Sequence, residues 1–201
     1  MHWIDPDSLP ETAGTFERFV LNPRGEVDGF VLRDKKTVVL VHTPPHMDKE
    51  ITRHLRQGEM VRVRGVRPRG AALLAAVAVT TAAGREIVDN GPDHDREHPK
   101  VKHAPMAAEG KVELSLFGPK GELRGALLAD GTVLRLGPKE AEHVAALLAP
   151  GAMVAARGDG LQTRHGRVIH VDEIGPDEDQ LKPIKKKDKK PKHGHPHAHA
   201  A

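Results

Sequence analysis

Residues 14–34 read GTFERFVLNPRGEVDGFVLRD, and residues 110–130 read GKVELSLFGPKGELRGALLAD. Laid over one another, Gly14, Pro23, Gly25, Glu26, Gly29, Leu32 and Asp34 coincide with Gly110, Pro119, Gly121, Glu122, Gly125, Leu128 and Asp130. The match resumes further on, where Gln57-Gly-Glu-Met-Val-Arg-Val-Arg-Gly65 follows the pattern of Pro150-Gly-Ala-Met-Val-Ala-Ala-Arg-Gly158. The chain therefore holds two copies of one unit of roughly 70 residues, and each copy checks the reading of the other. Working outward, the copies occupy residues 14–90 and 110–181, with an N-terminal extension over 1–13. Residues 91–109 are rich in proline, histidine and charge and read as a linker. Residues 182–201 are lysine- and histidine-rich, with too little apolar area to offset the entropy of ordering, and read as a disordered tail.

Within copy two, Val112, Leu114 and Leu116 alternate with Lys111, Glu113 and Ser115, the pattern of a half-buried strand. Asn22-Pro-Arg-Gly25 and Gly118-Pro-Lys-Gly121 place proline second and glycine fourth, as a type I turn prefers. Second strands follow near residues 27–33 and 123–129. Asp130-Gly131 signals a tight hairpin, Asp34-Lys-Lys36 its longer counterpart, and third strands cover 37–42 and 132–136. Pro45 and Pro138 are placed to open a helix. Met47, Ile51 and Leu55 line one helical face, and Val144 and Leu148 match the last two. Gly58 and Gly151 then stand where a helix ends. A fourth strand turns Val61 and Val63 one way and Arg62 and Arg64 the other. A fifth lies near 72–80 and 167–174, and residues 82–89 extend copy one, as a further hairpin would.

Three strands, a helix and two strands, twice over, resemble the OB-fold, a five-stranded Greek-key barrel with its helix between strands three and four. The expected fold class is all-β with one short helix per domain, as two tandem OB-like barrels. An SH3-like barrel would not ordinarily carry an amphipathic helix at that point. The chain also resembles uncharacterised bacterial proteins with tandem OB-like units. The resemblance implies that strands two and three, with the loops after strands one and four, form the binding face.

Composition narrows the chemistry. There is no cysteine and no tyrosine, and only Ser8 and Ser115 among serines, which excludes disulfides and thiolate catalysis and leaves little for nucleophilic catalysis. No phosphate-binding glycine loop, HExxH or Ser-His-Asp arrangement is present, and Glu26 and Glu122 beside matched turns read as structural. A non-enzyme is expected. The longest wholly apolar run, residues 71–79, is far short of the roughly 20 that a membrane helix needs. No apolar stretch follows a basic start, so the expected location is cytoplasmic.

Charge is unevenly placed. The last twenty residues hold seven lysines against one aspartate, a net of +6, while the whole chain is only +3. Copy one holds 13 Lys/Arg against 9 Asp/Glu, copy two 8 against 11. A polyanion therefore meets a favourable field at copy one and at the tail. The binding face implied by the resemblance supplies Arg24, Arg33, Lys35, Lys36, Arg67 and Arg69, and the stretch from Arg62 puts four guanidinium groups, Arg62, Arg64, Arg67 and Arg69, on a strand and its exit loop, where they suit phosphates. A solvated strand face is the bland alternative. Aromatic platforms are scarce: alternation sends Phe16 and Phe19 to opposite faces, so Phe19 or Phe30 could stack a base, although core filling fits both. The expected function is electrostatic binding of single-stranded DNA or RNA through copy one and the tail. The alternative is a protein-interaction or metal-handling adaptor.

His193, His195, His197 and His199 alternate with small residues and can wrap Ni, Cu or Zn, although no metal is required by the rest of the chain. Deleting residues 182–201 should abolish uptake of these metals in calorimetry. In the full chain, affinity should fall as pH drops through about 6.5, where protons compete for imidazole. Metal uptake unchanged by the deletion would place the site elsewhere.

Overall fold

In a computed structural model of the chain, residues 5–35, 37–91 and 100–184 are described. Barrel one comprises β1 (Glu11–Leu21), β2 (Val27–Asp34), β3 (Thr37–His42), helix α1 (Asp48–His54), β4 (Met60–Val66) and β5 (Leu73–Thr80), with a short added strand β6 (Glu86–Val88). Barrel two comprises β7 (Ala104–Phe117), β8 (Leu123–Leu128), β9 (Thr132–Arg135), helix α2 (Pro138–His143), β10 (Met153–Thr163) and β11 (Gly166–Gly175), with β12 (Lys182–Pro183) at its edge. In each barrel the first strand pairs with the second and the fourth, and a parallel pairing of the third with the fifth closes the ring. This is the five-stranded OB topology expected from the repeat. No helix among the described residues is long and apolar enough to cross a membrane.

The matched residues have local reasons. Gly25 and Gly121 sit at φ +77° and +82°, and each donates its N–H back to residue 22 or 118 to close the turn. Gly65 and Gly158 stand at matched register shifts of the fourth strand. A Cβ there would lie 2.2 Å from the Ala75 carbonyl oxygen or 2.0 Å from that of His170, so only glycine lets the strands close. Glu26 accepts a hydrogen bond from Asn22 Nδ2 at 2.8 Å, while Glu122 accepts from the Lys120 N–H at 3.1 Å and pairs with Arg124 at 2.8 Å. The recurring carboxylate clasps the turn.

Two expectations need correction. Residues 104–109 belong to β7, not to a linker. Over 104–111 that strand pairs only with β10, so Pro105 stands at an open edge where its missing N–H removes no ladder bond. The proline hid the strand. Second, Phe16 and Phe19 face the same way. β1 carries one extra residue, Glu17, between the pairs Phe16–Leu32 and Arg18–Val31, and this bulge resets the alternation. Phe19 therefore opposes Phe30 and lies 4.7 Å from Phe16, while Phe16 and Phe30 are buried.

β7 carries the same bulge at Glu113. The two barrels meet face to face on the outer side of their first three strands. Leu116, Leu127, Val133, Leu161 and Val168 of barrel two join the buried cluster of barrel one. Gly29–Leu32 of β2 and Gly125–Leu128 of β8 are buried without interruption, as strands covered on both faces must be. At matched contacts, Gly25 packs on Leu161 and Thr163, and Gly121 on Arg69 and Ala71, so the barrels are related by an approximate two-fold axis. At the bulges Arg33 joins Glu17 and reaches Glu113 at 3.3 Å. Deeper in the seam, Arg135 binds Asp28 at 2.6 Å and the Leu21 carbonyl at 2.9 Å.

Asp28 and Arg135 are nearly enclosed, with side chains 15% and 11% exposed, so removing one partner leaves a buried charge. Arg135→Met should cost about 3–5 kcal/mol in denaturant unfolding, and adding Asp28→Leu should recover most of it. A single variant within 1 kcal/mol of wild type would show the pair to be dispensable.

Candidate functional site

The eight cations named from the sequence do not form one cluster. Arg62 is exposed on β4. Arg64, two residues along, is held by Asp7 at 2.7 Å and Glu11 at 3.4 Å, and Arg67 donates to Thr12 Oγ1 at 3.2 Å. Arg69 and Arg24 lie on loops packed into the two different ends of the seam. Lys35 is exposed at the β2–β3 turn with φ +50°. Arg33 is committed to the glutamates between the barrels. Lys36 and the tail histidines His193, His195, His197 and His199 lie outside the described residues. Among the described residues no cluster of His, Asp or Glu is arranged to hold a metal.

The packing that covers strands two and three creates another surface. Between α1 of barrel one and the β10–β11 hairpin of barrel two runs a groove of about 670 Å³, adjoined by a pocket of about 440 Å³ that shares Thr52, Arg56, Arg164 and His165 with it. Six cations line the two: Arg18, Lys49, Arg53, Arg56, Arg164 and Arg167. Against them stand two carboxylates, Glu17 and Asp130. Both are already engaged, Glu17 with Arg33 and Asp130 with the N–H and hydroxyl of Thr132.

Each groove cation has a structural reason for its place. Lys49 and Arg53 are four residues apart on α1, away from the buried Met47 and Ile51. Arg56 follows the helix and donates to the carbonyls of Thr52 at 3.4 Å and Leu55 at 2.9 Å, capping the negative helix end. Arg164 and His165 form the hairpin tip, where Arg164 Nε donates to His165 Nε2 at 2.8 Å. The His165 ring packs edge-on against Phe19 at 5.1 Å. Arg18 leans toward the seam, donating to the Ala129 carbonyl at 3.2 Å, and Arg167 donates to that of Ala107.

A second, smaller cavity of about 350 Å³ lies on the seam, with Asp28, His42, Arg124, Arg135 and His170 on its wall. Burial pushes the Asp28 carboxyl above its ordinary value against the pull of Arg135. Burial also pulls His42 below its ordinary value, opposed by Asp28 and Glu122 and reinforced by Arg135. His165 is lowered as well, by burial first and Arg164 second.

These barrels define a tandem OB-fold protein with a cationic groove between its units. No protein family's sequence model matches the chain, and no curated protein matches it. The resemblance to bacterial tandem-OB proteins thus finds no relative at the level of sequence. Among solved structures, the wild-type single-stranded DNA binding protein from Thermus aquaticus aligns at 12% identity and a TM-score of 0.26, over 90% of this chain and 94% of that one. A deletion variant of the same protein aligns at 12% and 0.26, over 92% and 96%. At that level the likeness carries no weight for function, which rests on the groove itself.

The groove could have been found from Lys49, Arg53 and Arg56, spaced four and three apart opposite the Met47-Ile51-Leu55 stripe. That Arg164 and Arg167 come to join them was not readable, because it depends on how the barrels dock.

A histidine whose value is lowered on folding contributes stability that is present above its unfolded value and lost as pH falls through the lowered one. Unfolding free energy should therefore decline as pH drops below about 6.5. His42→Gln should flatten part of that decline in melts between pH 7.5 and 5. An unchanged slope would show that His42 does not carry it.

Proposed function

We propose that this chain is a non-enzymatic nucleic-acid-binding protein that holds single-stranded DNA or RNA by its phosphates in the groove between the barrels. One observation carries the reading: six cations from the two barrels converge on one groove whose two carboxylates already have partners, Arg33 for Glu17 and Thr132 for Asp130. A polyanion gains there what scattered surface charges do not give, because counterion release scales with the number of phosphates neutralised together. Duplex would meet the same charge. A groove with Phe16 and Phe19 at its base and amides from Gln57 and Gln162 on its walls favours splayed bases over a paired helix. Arg62, with Arg24, Arg69 and the lysines beyond residue 184, extends the positive field without forming a second pocket. Stacking is limited to what Phe19 leaves exposed, so binding is mostly electrostatic and sequence-tolerant.

Replacing Arg56 and Arg164 together by Gln should weaken binding to all single-stranded sequences alike. The slope of log K against log salt should become shallower by about 1.4, or 0.7 for each lost contact. Arg33→Gln is the contrasting variant: it should lower the melting temperature and leave the salt slope unchanged. Both should be measured in the full chain and again without residues 185–201, whose charge can mask the groove. If the shortened protein binds no nucleic acid at low salt, the reading fails and a protein partner takes its place.

A further inference from the structure

The groove is not uniform along its length. At the seam end, Arg18 and Arg167 share the lining with Glu17 and Asp130, so charge is more nearly balanced there, beside Phe19, Gln57 and Gln162. In the middle are Arg56 and Arg164. At the α1 end the pocket is lined by Lys49, Thr52, Arg53, Arg56, Arg164 and His165, and no carboxylate lines it. The nearest acids stand behind the wall. Glu50 reaches Arg53 at 3.5 Å but is tied to Arg85 at 2.8 Å, and Asp48 acts on His165 through its charge. The Thr52 hydroxyl is spent on the Asp48 carbonyl at 2.8 Å, so the donors that face the pocket are those of the cations.

Such a gradient suits a ligand with one end more charged than its middle. An internal phosphodiester carries a single negative charge. A terminal phosphomonoester carries about −1.5 to −2 at neutral pH and three acceptor oxygens. Guanidinium forks take such oxygens in pairs, and Lys49 adds a mobile point charge. Four permanent cations around about 440 Å³ are more than one phosphodiester requires. Resting on the nucleic-acid reading above, we propose that the α1 pocket is a terminal-phosphate site, holding the phosphorylated end of a strand whose adjoining nucleotides lie along the seam end. A free nucleotide bearing a terminal phosphate shares this chemistry.

The test uses the full chain and an oligothymidylate of about 12 nucleotides, within the site size of OB folds, prepared with a 5′-phosphate, with a 3′-phosphate and with neither. Thymidine triphosphate is the free-nucleotide arm. One of the two phosphorylated strands should bind roughly tenfold more tightly than the bare strand, the equivalent of one charge-assisted hydrogen bond. Lys49→Gln with Arg53→Gln should reduce that preference to about one while melting persists; the bare strand should weaken less than the phosphorylated one, its salt slope becoming shallower by no more than about 1.4. Arg53→Lys alone should retain part of it. Equal affinity for all three strands would overturn the terminal-phosphate site and leave nucleic-acid binding intact. Binding of the triphosphate alone, lost in the double variant, would support the phosphate site, identify its source as a free nucleotide and sink the strand reading. No binding of any of the four ligands would overturn both.

Discussion

The constraint on which the structure turns is the seam between the barrels. Each barrel carries its outer β1–β3 or β7–β9 surface as an apolar face. Alone, each would leave Val31 and Leu40, or Leu127 and Val133, in water. Docked, these residues are buried, and at roughly 25 cal/mol per Å² that contact is the main force holding the two units as one body. The bulges at Glu17 and Glu113 set its edge. A bulge adds one residue without a pairing partner, and in both strands that residue is a carboxylate. Arg33 answers both, which removes two like charges that would otherwise oppose docking.

Docking also covers the face expected to bind. The face that single OB barrels offer to ligands is here the face that each barrel offers to the other. A cation that would point along that face, Arg33, becomes structural, and the cationic groove is a surface that docking itself builds. The groove has one wall from α1 and another from the β10–β11 hairpin, so neither copy contains it alone. Barrel two has an acidic sequence overall, yet it contributes Arg164 and Arg167 at the one place where barrel one presents Lys49, Arg53 and Arg56. Net charge per copy identified the basic barrel and missed this convergence, because a sum over a domain does not record which side a residue faces.

Much of the fold was legible because it rests on local chemistry repeated twice. Turn glycines, a proline before a short helix and hydrophobic alternation are near-neighbour effects, and two copies average out the accidents of each. What escaped were parity and docking. The extra residue at Glu17 reverses the facing of Phe19, and no residue type marks a bulge of this kind. A signal for the seam was present: Phe30-Val31-Leu32 and Ala126-Leu127-Leu128 are unbroken apolar runs, and a strand half in water would have alternated. Arg33, at the end of the first run, read as a solvent-facing cation. It is held by Glu17 of its own barrel and Glu113 of the partner barrel, a pairing that depends on the bulges and on docking.

The divergence of the copies follows from the same seam. Under an approximate two-fold, each contact is made twice with the roles of the barrels exchanged. If the copies were identical, an acid placed to meet a base would need both residues in both copies, and the axis would bring like charges into one cavity. Two copies on one chain escape that restriction. The register puts Asp28 in the place of Arg124, and His42 in that of Arg135. Asp28 therefore meets Arg135 once, while the counterpart residues, Arg124 and His42, share the same seam cavity and Arg124 is paired with Glu122 of its own turn. The ion pair fixes which copy plays which part. That asymmetry leaves α1 of barrel one, with its cationic stripe, against the β10–β11 hairpin. Its counterpart α2 has Glu140 and Glu142 in place of a cationic stripe and lines a pocket with residues 174–184 of its own barrel. A two-fold frame thus yields a single cationic groove, and the departure of the second copy from the first is what makes it single.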